Sequence, residues 1–120
     1  MKKLLIASLV VLSITNVTAQ DELTKDQLAM CEWVGVNSAT AMRHNINGYD
    51  KDRVKMNFKK KTKDTLPKGY DLTVINPLID VMVDWAYAEK YPRHLVTEVS
   101  EDYGKHMYKK CVNNRLIKWK

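Results

Sequence analysis

Cysteine occurs only twice in these 120 residues, glycine four times and phenylalanine once. Cys31 and Cys111 stand eighty positions apart, so no Cys-x-x-Cys pair exists. The three histidines, His44, His94 and His106, fall into no His-Glu-x-x-His spacing. Those absences exclude the common zinc frameworks. The scattered glycines form no phosphate-cradling loop, and no serine or cysteine sits in a nucleophile motif. No cofactor is implied. A long apolar run is missing as well: the one apolar stretch, from Leu4 to Ile14, is interrupted by Ser13 and followed by Thr15, Asn16 and Thr18, short of the ~20 residues a membrane span needs.

What that stretch does have is the plan of a bacterial secretory signal peptide. "MKKLLIASLVVLSITNVTA" opens on Lys2 and Lys3, continues apolar, and ends with Val17 and Ala19 before an expected cleavage point. No cysteine lies near that boundary, which argues against a lipid anchor. The expected organisation is a signal peptide over residues 1–19 and one domain over residues 20–120, whose size suits a single core. Loss of Lys2 and Lys3 lowers the formal net charge from +6 to +4. In an oxidising compartment an even cysteine count reads as a disulfide, and two cysteines allow one connectivity within the chain. The alternatives are an intermolecular bridge and two free thiols.

Along the rest of the chain the periodicity is helical. Thr24 with Gln27 makes a capping-box pattern, and Leu28, Cys31, Val34, Gly35, Ser38, Ala39, Met42 and Ile46 recur three or four apart before Asn47-Gly48 stops the helix. Asp50 is placed to cap a second helix carrying Val54 and Phe58, which is expected to dissolve into a basic loop over "KKKTKDTLPKG". Asn76 as cap and Pro77 as first residue predict a third helix from Pro77 to Glu89, burying Leu78, Ile79, Met82, Trp85 and Ala86; "DLTVI" before it reads as a short strand or a helical turn. After Tyr91-Pro92, the residues Leu95, Val99, Tyr103, Met107 and Cys111 recur at intervals of four, and Gly104 weakens this last helix. Trp33, Trp85, Tyr87 and Tyr103 read as core or core-edge aromatics. The expected fold is all-α: a small bundle of about four helices, closed by a Cys31–Cys111 disulfide if the first and last helices pack antiparallel.

The order of signal peptide, Cys31 in a helix, Arg43 and Gly48, "VDWAYAEKYP", and "YGKHMYKKC" with the second cysteine resembles small exported two-cysteine helical proteins of proteobacteria and their phages, a group largely without assigned function. The resemblance implies an envelope location and a helical fold. The lysine-rich middle and the basic tail beyond Cys111 depart from it. In size, single bridge and helix content the chain is more distantly similar to acid-stress chaperones of the periplasm.

Charge is unevenly distributed. Residues 51–68 carry eight basic and two acidic side chains, residues 71–102 two basic and seven acidic, and residues 105–120 six basic and none acidic. Two accounts fit: solvated faces whose opposite charges attract across the bundle, or an anion-binding surface made by Lys59, Lys60, Lys61 and Lys63 with Arg115, Lys118 and Lys120. The tail "VNNRLIKWK" adds Leu116, Ile117 and Trp119 among cations, a composition suited to peripheral membrane contact. Export disfavours nucleic acid as the partner.

The functional expectation is a non-enzymatic periplasmic or secreted interaction protein, an accessory, inhibitor or chaperone-like molecule presenting a basic surface to an anionic envelope component or acidic protein. The alternative is a small envelope hydrolase or transferase using Asp102 and His106, four apart on the last helix with Glu98 one turn back. The plainer reading of that pair is an exposed helical contact. Asp80 and Asp84 share a face in the same way and read as the solvated side of the third helix.

Thiol chemistry tests the cysteine reading. The native exported protein should resist thiol labelling and lose several degrees of Tm on reduction, because closing a loop of this length contributes about 4.5 kcal/mol in the chain-entropy account; labelling of both cysteines without denaturant would contradict it.

Overall fold

The computed structural model describes residues 23–65 and 72–113. The expected signal peptide, Pro67, Gly69, Arg115, Lys118 and Lys120 lie outside the described residues. Four α-helices appear among those described: α1 (Lys25–Ile46), α2 (Lys51–Thr65), α3 (Leu72–Ala86) and α4 (Val96–Val112), with a 3₁₀ turn at Arg93–Leu95 before α4.

Helix α1 begins where the capping box places it. Thr24 Oγ1 accepts from the Gln27 amide at 3.1 Å, and Gln27 Oε1 accepts from the Thr24 amide at 2.8 Å. The helix ends at Asn47, and Gly48 turns the chain at φ +86°, a conformation that costs glycine nothing and most residues a great deal. Beyond the expected stripe, α1 also buries Met30, Ala41 and Asn45.

Helix α4 lies antiparallel along α1, so the early turns of one meet the late turns of the other. Cys31 and Cys111 are disulfide-bonded with their Cα atoms 5.4 Å apart. Further along, backbone meets backbone: a Cβ on Gly104 would stand 2.8 Å from the Gly35 carbonyl oxygen and 3.0 Å from Ala39 Cβ, and a Cβ on Gly35 would stand 3.2 Å from the Gly104 carbonyl oxygen. Gly104 is therefore a contact point of the two helices, a role beyond the weak helix former read from the sequence. Ser38 and Ser100, on the same two helices, are fully buried small side chains.

Three sequence expectations are corrected. Helix α2 does not give way at Lys59; it continues to Thr65. Lysine is a good helix former, Thr62 is buried with its hydroxyl donated to the Phe58 carbonyl, and Lys59 is tied to α3. Helix α3 starts at Leu72 and ends at Ala86, so "LTVI" is helix, Asn76 is no cap, and Pro77 is an interior residue. An interior proline costs about 3 kcal/mol; the fully buried Ile75 recovers about 1.5–3 kcal/mol by extending the apolar stripe of Leu78, Ile79, Met82, Val83 and Ala86. Trp85, expected in that stripe, is 45% exposed, with Lys110 Nζ 5.6 Å from its ring centre.

The four-residue repeat on α4 also resolves differently: Ser100, Gly104, Met107 and Cys111 are buried, while Leu95, Val99 and Tyr103 are half-buried. At 3.6 residues per turn each step of four rotates by about 40°, so Leu95 and Cys111 cannot share one face.

Two buried polar groups tie α3 to its neighbours. Asn45 Nδ2 donates to the Ala86 carbonyl at 2.9 Å and the Glu89 carbonyl at 2.8 Å, satisfying acceptors at the α3 terminus. Tyr103 donates its hydroxyl to the Met82 carbonyl at 2.7 Å, and burial holds that phenol well above the usual tyrosine range. The core joins Met30, Cys31, Val34, Met42 and Ile46 of α1 to Ile79, Met82 and Val83 of α3 and Met107 of α4.

The Gly104 contact makes an unusual prediction. On propensity alone Gly104→Ala should stabilise a helix by about 1 kcal/mol. Against a carbonyl 2.8 Å away it should instead destabilise the protein by about 1–3 kcal/mol, read as a lower urea midpoint; a higher midpoint would mean that α1 and α4 can separate without loss.

Candidate anion-binding face

Helical periodicity divides the cations of α2 between two sides. Lys51, Lys55 and Lys59, four apart, meet Asp80 and Asp84, which are four apart on α3. The contacts form a ladder: Lys51–Asp84 at 3.3 Å, Lys55–Asp84 at 2.8 Å, Lys55–Asp80 at 3.8 Å and Lys59–Asp80 at 2.8 Å. The hydrogen bond from Lys55 is the main cause holding the Asp84 carboxyl below the usual carboxylate range, and the same bond raises Lys55. These groups are partly solvated, so each pair contributes at most modestly; their value is to set the register of α2 on α3. Lys59 is thus engaged with Asp80.

Of the other cations expected to bind anions, Lys60 and Lys61 are exposed on α2. Lys63 lies in α2, near its end. The tail cations Arg115, Lys118 and Lys120 lie outside the described residues.

The outer side of α2 brings Arg53, Asn57 and Lys61, again four apart, to a cleft of about 510 Å³ that the sequence did not single out. Its opposite wall is His44, from the last turn of α1, with Tyr49 from the connecting turn. The local chain explains the arrangement. After Gly48 reverses direction, the Tyr49 amide donates to the His44 carbonyl at 2.9 Å, and Asp50 Oδ2 accepts from the Arg53 amide at 3.1 Å, capping α2 as expected. Tyr87 fixes the turn from outside by donating its hydroxyl to the Tyr49 carbonyl at 2.7 Å.

Within the cleft the His44 ring lies 4.9 Å from Tyr49 and 6.2 Å from Phe58, tilted against both. Its Nδ1 is buried and has no hydrogen-bond partner among the described residues. Burial, reinforced by the charges of Arg43 and Lys61, lowers the His44 pKa below the ordinary histidine value. The sequence signal was available in the Arg53, Asn57, Lys61 repeat, but His44 is joined to it only by the turn at Gly48.

The carboxylates and histidines do not converge. Asp80 and Asp84 belong to the ladder, whereas Asp102 and His106 are exposed on α4 beside a shallow depression of about 330 Å³ lined also by Met42, Tyr91, Val99 and Tyr103. No ion pair joins Asp102 to His106, although they are four apart. His94 is exposed in the 3₁₀ turn. Among the described residues no group of three or more potential ligands is placed to hold a metal ion, and no helix is long and apolar enough to cross a membrane.

The environment of His44 predicts a pH dependence. A histidine whose folded pKa is lowered binds fewer protons folded than unfolded, so its stabilising contribution is present above the ordinary value of 6.5 and is lost as pH falls below it. Tm should therefore fall between pH 7.5 and 5.5, and His44→Phe should flatten that dependence; an unchanged slope would place the proton-linked group elsewhere.

Compared with known proteins, the chain matches no family model, and no curated protein or solved structure is significantly similar to it.

Proposed function

We propose that this is a non-enzymatic periplasmic or secreted interaction protein, which receives an anionic component of the envelope on the outer side of α2. The observation that carries the reading is the sorting of charge on that helix. Its inner stripe of three lysines is paired with Asp80 and Asp84, while Arg53 and Lys60 on the rest of its surface have no ion-pair partner among the described residues. The paired stripe holds α2 against α3. The remaining cations then sit on an anchored helix, where a partner binds them at lower entropic cost than on a floppy segment.

The expected signal peptide supports export, and the intrachain disulfide fits an oxidising compartment. Interaction rather than catalysis is favoured by the engagement of Asp80 and Asp84 with the lysines of α2 and by the missing contact between Asp102 and His106.

Sedimentation with phosphatidylglycerol vesicles or cell-wall fragments tests this function. Association should fall steeply between 0.1 M and 1 M salt, where the Debye length shortens from about 10 Å to about 3 Å. The double variant Arg53→Glu, Lys60→Glu should weaken it with Tm nearly unchanged, since both are solvated, and His106→Ala should leave it unaltered. Association that survives both high salt and charge reversal would overturn the proposal, as would its absence at low salt.

A further inference from the structure

We infer that the cleft between His44 and the outer side of α2 binds a small ligand in which a carboxylate or phosphate is attached to an unsaturated ring. This deepens the anion-binding reading by naming the chemistry recognised at one place on that side of the helix.

The charge argument comes first. Arg53 and Lys61 line the cleft with one carboxylate, Asp50, whose Oδ2 is already used to cap the Arg53 amide. Arginine offers a planar fork of donors matched to two oxygens of a carboxylate or phosphate. Asn57, one turn along α2 from Arg53, adds an amide able to serve an oxyanion or a neighbouring polar group.

The ring argument is independent of the charge. A bare inorganic ion would leave most of a cavity of about 510 Å³ unfilled, and that volume lies in the range of small-molecule sites. Tyr49 is 56% exposed although Tyr87 anchors its backbone, so an aromatic face stands open on a fixed turn. His44 meets Tyr49 and Phe58 at interplanar angles of 45° and 48°. Rings splayed in this way accept a further ring by tilted or offset contact, the arrangement aromatic groups prefer.

The imidazole supplies the link between the two halves. Because Nδ1 is buried without a partner, a proton there would be an orphaned donor, the rarer and costlier state. The neutral ring therefore keeps its proton on Nε2, leaving that N–H as the donor His44 can offer a ligand oxygen.

Titration of the ¹⁵N-labelled, disulfide-bonded protein followed by NMR tests the inference, with phenyl phosphate and benzoate as probes and inorganic phosphate and acetate as their ring-free counterparts. At least one aryl anion should shift the amides of His44, Tyr49, Arg53 and Asn57 and bind about tenfold or more tightly than its counterpart; which one does so distinguishes a phosphate from a carboxylate source. Arg53→Gln should weaken the aryl anion about tenfold or more, the scale of a charged hydrogen bond, with its unchanged spectrum elsewhere reporting an intact fold. Phe58→Leu should narrow the preference for the ring. Equal binding of aryl and inorganic ions, shifts centred elsewhere, no binding, or full affinity in Arg53→Gln would overturn the inference. Vesicle association without aryl binding would remove the cleft ligand alone; aryl binding without vesicle association would remove the envelope reading alone.

Discussion

The antiparallel contact of α1 with α4 is the constraint on which the other elements depend. It is held covalently at one end, where Cys31 meets Cys111, and sterically farther along, where Gly35 and Gly104 let the two backbones touch. The two devices act on different states. The disulfide limits the unfolded chain, whereas the glycines remove side-chain bulk from the folded interface. Together they align the helices, so that Met42 and Ile46 at the far end of α1 project toward α3 as part of the same core.

Helix α3 depends on that frame for more than apolar burial. Its carbonyl end receives the Asn45 side chain of α1, and its Met82 carbonyl receives the Tyr103 hydroxyl of α4. A buried acceptor deprived of its donor costs about 1–3 kcal/mol, so these bonds specify where α3 stops and which neighbours flank it. The interior Pro77 is tolerated in that setting because the residues around it are committed to the core on both sides.

Helix α2 has the weakest apolar commitment of the four, with Val54 buried and Phe58 packed at the core edge. Electrostatics supplies its register: lysines four apart face aspartates four apart across the α2–α3 contact. The arrangement unites two accounts of the charge pattern that the sequence left open. Opposite charges do attract across the bundle, through Lys51, Lys55 and Lys59, and the other side of α2 brings Arg53 and Lys61 to the His44 cleft.

Local signals in the chain determined the helices, the caps at Thr24 and Asp50, the turn at Gly48 and the pairing of Cys31 with Cys111, because each depends on residues close in sequence or on the only two cysteines present. Tertiary structure decided the rest. Whether Gly104 is a weakness or a contact depends on what faces it. The α3 boundary depended on whether burial of Ile75 could offset the interior proline, and the course of Lys59 to Thr65 on whether Asp80 lay within reach. Trp85 and Tyr103 are similar aromatics in sequence, yet one lies outside beneath Lys110 and the other donates into the core, since periodicity fixes spacing along a helix but the rotation of its face is set by its neighbours. The His44 cleft draws on both: the turn at Gly48 brings its two walls together, and the packing of α1 and α2 against α3 sets how the two helices lie across it.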